Sequence, residues 1–293
     1  MTTITLREEL LRDVPVAERR LTLAGAETVV LEGGDGPPVV LLHGPGGNGA
    51  HWARVLAPLA AHHRVIAPDL PGQGRSAPLE SERVLDWLGE LIDRTCAAPP
   101  TLVGNALGGA IAASFAARHG DRLDRLVLVD ALGLQAFGPT PEFGAALQAF
   151  MAEPTLQTHE GLWRHCAHDL DRLREDLGGR WDAFAAYNLD RARTPSVQTS
   201  LGALMQQFGL PAIPAPELER IEVPTSLIWG RHDLATPLAV AESASERYHW
   251  PLHVIDDCAD DPPVEQPEAF VAAFAGLHGP GHPAYEQATR LWN

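Results

Sequence analysis

An apolar run at 101–103 leads into Gly104-Asn105-Ala106-Leu107-Gly108-Gly109, and small and apolar residues then continue for the length of a helix. Glycines two places before and two places after a central residue let a strand turn sharply into a helix, because no Cβ obstructs the backbones that must pass there. A turn of this kind lifts its central side chain out at the end of a sheet. Here that side chain is the methyl group of Ala106, which has no atom able to attack a substrate. The turn also calls for a particular setting, a parallel sheet with helices packed on it.

The rest of the chain fits that setting. Continuous apolar runs of strand length lie at 39–42, 65–67, 101–103, 126–129, 226–229 and 252–255. Runs without polar alternation predict strands buried on both faces. Helix-length segments separate them; within 82–96, Val84, Leu85, Leu88, Leu91 and Ile92 recur at helical spacing, and Pro99-Pro100 follow. The expected fold class is therefore α/β, with a mostly parallel central sheet and helices on both faces. Residues 134–216 break this rhythm, since they hold helical patterns and no strand-like run. Pro139, Pro141 and Gly144 punctuate the start of that segment, and Pro211, Pro214 and Pro216 its end. The expected organisation is a core of 1–133 and 217–293 carrying an inserted helical cap, 134–216, that acts as a lid.

Charge narrows the function. The 293 residues carry 38 acidic against 22 basic side chains, a net charge of −16, and every one of the 22 is arginine. Without lysine there is no Schiff-base amine and no P-loop lysine. A strongly acidic surface disfavours nucleic acid and anionic membranes. No apolar run reaches the roughly 18 to 20 residues of a membrane span, and the first residues are too charged for a signal peptide. The expected setting is the cytoplasm, with a small-molecule substrate or ligand, no nucleic acid and no membrane; the sequence leaves oligomerisation open. Cys96, Cys166 and Cys258 are odd in number and scattered, which predicts reduced thiols. His165 and His168 have a spacing that could hold a metal on a helix, yet such pairs are usually ordinary surface, so neither metal nor other cofactor is expected.

Five features in order resemble the α/β-hydrolase superfamily over roughly residues 20–277: His43-Gly44 after a strand, the stretch from Pro68-Asp69-Leu70-Pro71-Gly72 to Ser76, the turn at 104–108, Trp229-Gly230-Arg231-His232-Asp233, and Glu265-Gln266-Pro267-Glu268. Asn105 before the central residue is most similar to the meta-cleavage-product hydrolases, which cut carbon–carbon bonds, and to related esterases. The resemblance implies an α/β-hydrolase fold and a Ser-His-Asp triad, and this chain departs from that triad. The serine position of the Gly-x-Ser-x-Gly elbow falls on Ala106. The family's acid falls on Asp233, and its histidine, counted back from Glu265, falls on Asp260. One amide of the oxyanion hole would belong to Leu107 and the other to Pro45, which has no N–H, unless Gly46 takes that place. Loss of one such donor costs about a hundred- to a thousand-fold in turnover. The resemblance thus implies a pocket walled by His43, Gly44, Pro45, Gly46, Asn105 and Leu107 around an emptied nucleophile position.

Two carboxylates brought together in a covered pocket resist ionising together, so one retains a proton. Asp260 and Asp233 would then donate and accept protons in an elimination, dehydration, cyclisation or epoxide opening, none of which needs a serine. The leading expectation is a cofactor-independent enzyme of this kind acting on a small hydrophobic molecule. The arginine-only, alanine-rich composition adds natural-product biosynthesis as its setting. The alternatives are a ligand-binding pseudo-hydrolase and a residual hydrolase that uses Asp260 to activate water. Asp256 and Asp257 are expected to be solvated, Cys258 to be a small buried hydrophobe, His232 to face away from the site, and Asp233 has capping of its own turn as its structural alternative.

Overall fold

The computed structural model describes residues 5–277. Its strands are β1 (Ala17–Leu23), β2 (Ala26–Gly33), β3 (Pro38–Leu42), β4 (Arg64–Pro68), β5 (Thr101–Asn105), β6 (Arg125–Val129), β7 (Thr225–Gly230) and β8 (Leu252–Ile255). They form one sheet in the order β1-β2-β4-β3-β5-β6-β7-β8. β2 runs antiparallel to β1 and β4, and every neighbouring pair from β4 across to β8 is parallel. The six predicted apolar runs all lie in β3 to β8. The antiparallel β2 carries a further buried run, Val29-Val30-Leu31, that is not among those six, whereas Glu18, Arg19 and Arg20 of β1 are exposed, in keeping with an edge strand.

Alternate residues of each strand feed two different cores, which is why these strands are apolar without interruption. Val39, Leu41, Val127 and Val129 pack with helices Ala53–Ala60 and Pro267–Gly276 through Val55, Leu56, Phe270 and Phe274. Val40, Leu42, Leu126 and Leu128 pack on the opposite face with helices Val84–Thr95 and Leu107–His119. The segment predicted helical at 82–96 is the first of these, preceded by a short 3₁₀ turn at Ser81–Arg83. The architecture is an α/β-hydrolase fold.

Between β6 and β7 the chain forms helices Pro141–Ala152, Leu156–Cys166, Leu170–Leu177, Arg180–Arg193 and Pro195–Leu204, then a π-helical turn at Met205–Gly209. Thr140, Thr155 and Asp169 start three of them by accepting a hydrogen bond from a first-turn amide. These helices share an apolar cluster of Phe143, Phe150, Leu162, Trp163, Trp181 and Leu189, to which Val264, from the short helix Pro262–Glu265 after β8, adds its side chain. Among the described residues no helix is long and apolar enough to cross a membrane.

Candidate active site

Side chains gather where the parallel strands end, the edge at which open α/β sheets place their ligands. The turn after β5 has the backbone that its sequence foretells. Ala106 stands at φ 45°, ψ −110°, a strained conformation for a residue with a Cβ. A Cβ at Gly104 would collide with Gly108 O, and one at Gly108 with Leu42 O, so both glycines are sterically required. Ala106 opens onto a cavity of about 390 Å³. Its walls are mostly apolar, with Phe137, Phe143, Phe150, Trp163, Phe184 and Leu201 among them, whereas its floor is polar.

Gly44, Pro45, Gly46 and Asn105 line this cavity, as the sequence expected, together with Gly47. Gly47 N donates to Gly44 O at 3.2 Å, and Gly46 takes a positive φ of 68°. Asn105 Nδ2 is buried without a hydrogen-bond partner among the described residues, which leaves a spare donor beside Ala106. Two of the predicted wall residues stand behind the wall. His43 is fully buried, its Nε2 accepting from Leu70 N at 3.0 Å and its Nδ1 donating to Gly44 O at 2.8 Å. Burial drives its pKa down to about 3, so this neutral imidazole braces the loop. Leu107 is buried in the core, so only its backbone is available to the site.

Asp260 lines the cavity, held through its backbone N–H on Cys166 O at 3.3 Å. Its neighbouring loops are locked together: His232 N donates to Cys258 O at 2.9 Å, and a Cβ on Gly230 would overlap Ala259 O. Burial, then the charges of Asp233, Asp261 and Glu265, push the Asp260 carboxyl well above the usual range, and a hydrogen bond with Cys166 only partly offsets them. Asp233 is buried and is not among the residues that line the cavity. Its Oδ1 caps its own turn, accepting from Ala235 N at 2.7 Å and Thr236 N at 2.8 Å. Its Oδ2 receives no donor, and burial raises the group to about 7 against the pull of those amides and of the neighbouring Asp130 carboxyl. Asp233 is thus a turn cap on one oxygen and a titrating acid on the other.

Asp130, which the sequence reading passed over, completes the cluster. It follows β6, lines the cavity, and is strained at φ 43°. Its Oδ1 accepts from Gly230 N at 2.9 Å while its Oδ2 has no donor. Burial, then the charge of Asp233, raises its pKa far above the ordinary value. A charged residue closing the apolar run 126–129 was the available signal. Also unforeseen is His51, whose Nε2 meets Asp261 Oδ1 at 2.9 Å across the cavity rim. Glu265, raised to about 7 chiefly by burial, accepts from Ala259 N at 2.9 Å and His168 N at 2.7 Å, and so fastens the loop after β8 to the inserted helices.

The histidine pair of the inserted segment does not form. Helix Leu156–Cys166 ends before His168, which stacks instead on His232 with ring centroids 4.2 Å apart. Among the described residues no group of three His, Cys, Asp or Glu side chains is placed to hold a metal ion. Cys258 is buried, and burial raises its thiol far above the range of a reactive thiolate. Asp256 is exposed and pairs with Arg231.

A sequence model described as the alpha/beta hydrolase family matches residues 39–273. Among curated proteins, the chain is 32% identical over 253 residues to a pimeloyl-(acyl-carrier protein) methyl ester esterase of Aeromonas hydrophila, covering 81% of this chain and 94% of that one. It is 30% identical over 272 residues to the 2-hydroxy-6-oxo-6-(2'-aminophenyl)hexa-2,4-dienoic acid hydrolase of Metapseudomonas resinovorans, covering 87% and 89%. Among solved structures, the 2-hydroxy-6-oxo-6-phenylhexa-2,4-dienoate hydrolase of Rhodococcus sp. strain RHA1 superposes with a TM-score of 0.79 at 25% identity, over 90% of this chain and 99% of that one. A serine-to-alanine mutant of the meta-cleavage product hydrolase of Pseudomonas fluorescens IP01, complexed with acetates, gives 0.74 at 26% identity over 89% and 97%.

Proposed function

Because the chain belongs to the alpha/beta hydrolase family, we propose that it keeps the scaffold of its hydrolase relatives and replaces serine chemistry with proton transfer by carboxyl groups. Ala106 takes the serine position and Asp260 the histidine position. Helices of the segment 134–216 serve as the cap over the cavity. The observation that carries this reading is the placement of Asp260 on the same cavity as Ala106, where burial and neighbouring acids push its carboxyl well above the usual range and so favour the protonated form. A carboxylic acid that is still protonated near neutral pH is a general acid.

The roles follow from position. Asp260 gives a proton to the departing or opening oxygen of a small substrate. Asp130, which also lines the cavity, and Asp233, which does not, form a carboxyl pair in which one oxygen of each has no other donor, so a shared proton satisfies both. The Asp233 carboxyl pushes the pKa of Asp260 up and so favours its protonated form. Asn105 Nδ2 offers an orienting hydrogen bond, and the aromatic walls select an apolar, ring-sized molecule. The reaction class is elimination, dehydration, cyclisation or epoxide opening without a cofactor.

Deleting the gene in its native host and profiling metabolites tests the proposal, with complementation by the unaltered chain and by Asp260→Ala. The intermediate that accumulates should be cleared by the unaltered chain and about 10²- to 10⁴-fold more slowly by the variant, the usual contribution of a general acid. Equal clearance by both removes Asp260 from the mechanism. No metabolic difference at all indicates a pocket that binds without turnover.

A further inference from the structure

Resting on the proton-transfer reading above, we propose that His51, oriented by Asp261, is a second catalytic residue of the cavity, a base that takes a proton from a carbon acid while Asp260 protonates the group that leaves. The substrate class is then a small apolar molecule with an oxygen leaving group β to an acidic C–H.

His51 and Asp261 lie 210 positions apart in sequence, and their 2.9 Å contact ties the loop after β3 to the loop after β8. Both line the same cavity as Ala106, Asp130 and Asp260. Consecutive residues of one loop therefore serve two purposes, Asp260 facing the cavity as an acid and Asp261 bracing an imidazole. The imidazole is also rigidly mounted. It sits on the 3₁₀ turn Gly49–Trp52, whose start is fixed by Asn48 accepting from Ala50 N at 2.8 Å and by Gly49 N donating to Asp69 Oδ1 at 2.7 Å. The next side chain, Trp52, is fully buried against Phe270 and meets the His51 ring edge-on. With Nε2–H donating to Asp261, the Nδ1 lone pair is the reactive position, and it makes no hydrogen bond among the described residues. Burial alone would make this imidazole a weaker base, but the charge and hydrogen bond of Asp261 outweigh it. This is the relation of an orienting carboxylate to a catalytic histidine, mounted on the opposite loop and through the other ring nitrogen.

The step balances. The C–H bond breaks with its proton going to Nδ1, its electron pair forms the new double bond, and the C–O bond breaks with its electrons on oxygen. Asp260 protonates that oxygen, and the imidazolium returns a proton through solvent to the Asp260 carboxylate.

Ring opening of 5-nitrobenzisoxazole isolates the base, because C–H loss and N–O cleavage give a stable nitrophenolate that needs no acid. The unaltered full-length chain should accelerate this reaction over buffer, and His51→Gln should lower kcat roughly a hundredfold. His51→Ala should recover with added imidazole, which replaces the lost chemistry and not lost packing. Asp261→Asn should lower kcat with KM unchanged, as befits a positioning residue, and Asp256→Asn at the surface should change neither. No acceleration by the unaltered chain overturns the proposal, as does a rate that survives His51→Gln or that imidazole fails to restore. Loss in Asp260→Asn with full rate in His51→Gln overturns it as well, by making Asp260 the base. Failure of the underlying reading appears separately, as undiminished clearance of the host metabolite by Asp260→Ala.

Discussion

Asp69 and Asp130 each follow a buried parallel strand of this sheet, one after β4 and the other after β6, and both are buried. Their surroundings are opposite. Asp69 Oδ1 accepts from Arg7 Nη1 at 2.9 Å and Gly49 N at 2.7 Å, and its Oδ2 from Arg75 N at 2.8 Å. Arg7 reaches it from the N-terminal helix Leu6–Leu10, which also packs on helix Arg180–Arg193 of the inserted segment. Asp130 has one amide, no guanidinium, and three acids acting on it, Asp233, Asp260 and Asp261. The same side chain at the ends of two strands is thus a donor-saturated anchor in one place and, in the other, a carboxyl pushed far above its ordinary range. The neighbours make the difference: a buried carboxylate with matched donors stabilises the fold, and a buried carboxyl without them stays protonated and available for chemistry.

Removing a partner at the anchor should have the largest effect on stability. Asp69→Ala leaves buried Arg7 with only the partly exposed Glu18, 3.3 Å from its Nε, as a carboxylate partner, and should cost about 3–5 kcal/mol in urea unfolding. A much smaller loss would mean that Asp69 is no anchor. The carboxyl cluster should respond to pH in the reverse sense to an ion pair. Asp233 and Glu265 titrate near 7 when folded, against ordinary values of 3.8 and 4.5, so the folded chain holds protons that the unfolded chain has released. Their contribution is complete below the unfolded values and is lost as pH rises through about 7. Stability should therefore fall between pH 4 and 7, and Asp233→Asn should flatten that slope; an unchanged slope would place the titration elsewhere.

Ala106→Ser combined with Asp260→His puts a serine and a histidine at the two positions proposed to correspond to the family's nucleophile and base. Gain of p-nitrophenyl acetate hydrolysis would show that the elbow still presents its side chain to the cavity and that the oxyanion hole works. Absence of any activity would point to Pro45. The smallest effect belongs to Asp256→Asn, whose exposed pairing with Arg231 should be worth about 0–1 kcal/mol. A larger loss would make the acidic run around Asp260 structural throughout.

Much of the scaffold was legible because burial on both faces writes strands as unbroken apolar runs. The runs at 39–42 and 126–129 divide residue by residue between the two cores, and the elbow was fixed by two glycines with no room for a Cβ. β1 was not legible as a strand, since it is a polar edge that needs no apolar run, and β2 offered only the short run Val29-Val30-Leu31 between acidic residues. Ala106 and Asp260, each read from a local motif, line the cavity, whereas Asp233, read the same way, caps its own turn and does not. His51 and Asp261 were not legible, because a contact across 210 positions leaves no local pattern. Asp130 looked like the end of a strand, and only three-dimensional proximity to Asp233 and Asp260 gives it a role. His43 carried a motif and turned out to brace its loop, a distinction set by two hydrogen bonds that no spacing reveals.

Infrared difference spectroscopy at neutral pH measures the contrast between the two aspartate environments most directly. The unaltered protein should show the C=O band of protonated carboxylic acid, and that band should lose intensity in both Asp130→Asn and Asp260→Asn. A spectrum with no protonated-carboxyl band, or one unchanged by either substitution, would contradict the account, because a cavity of ionised aspartates has no acid to offer a substrate.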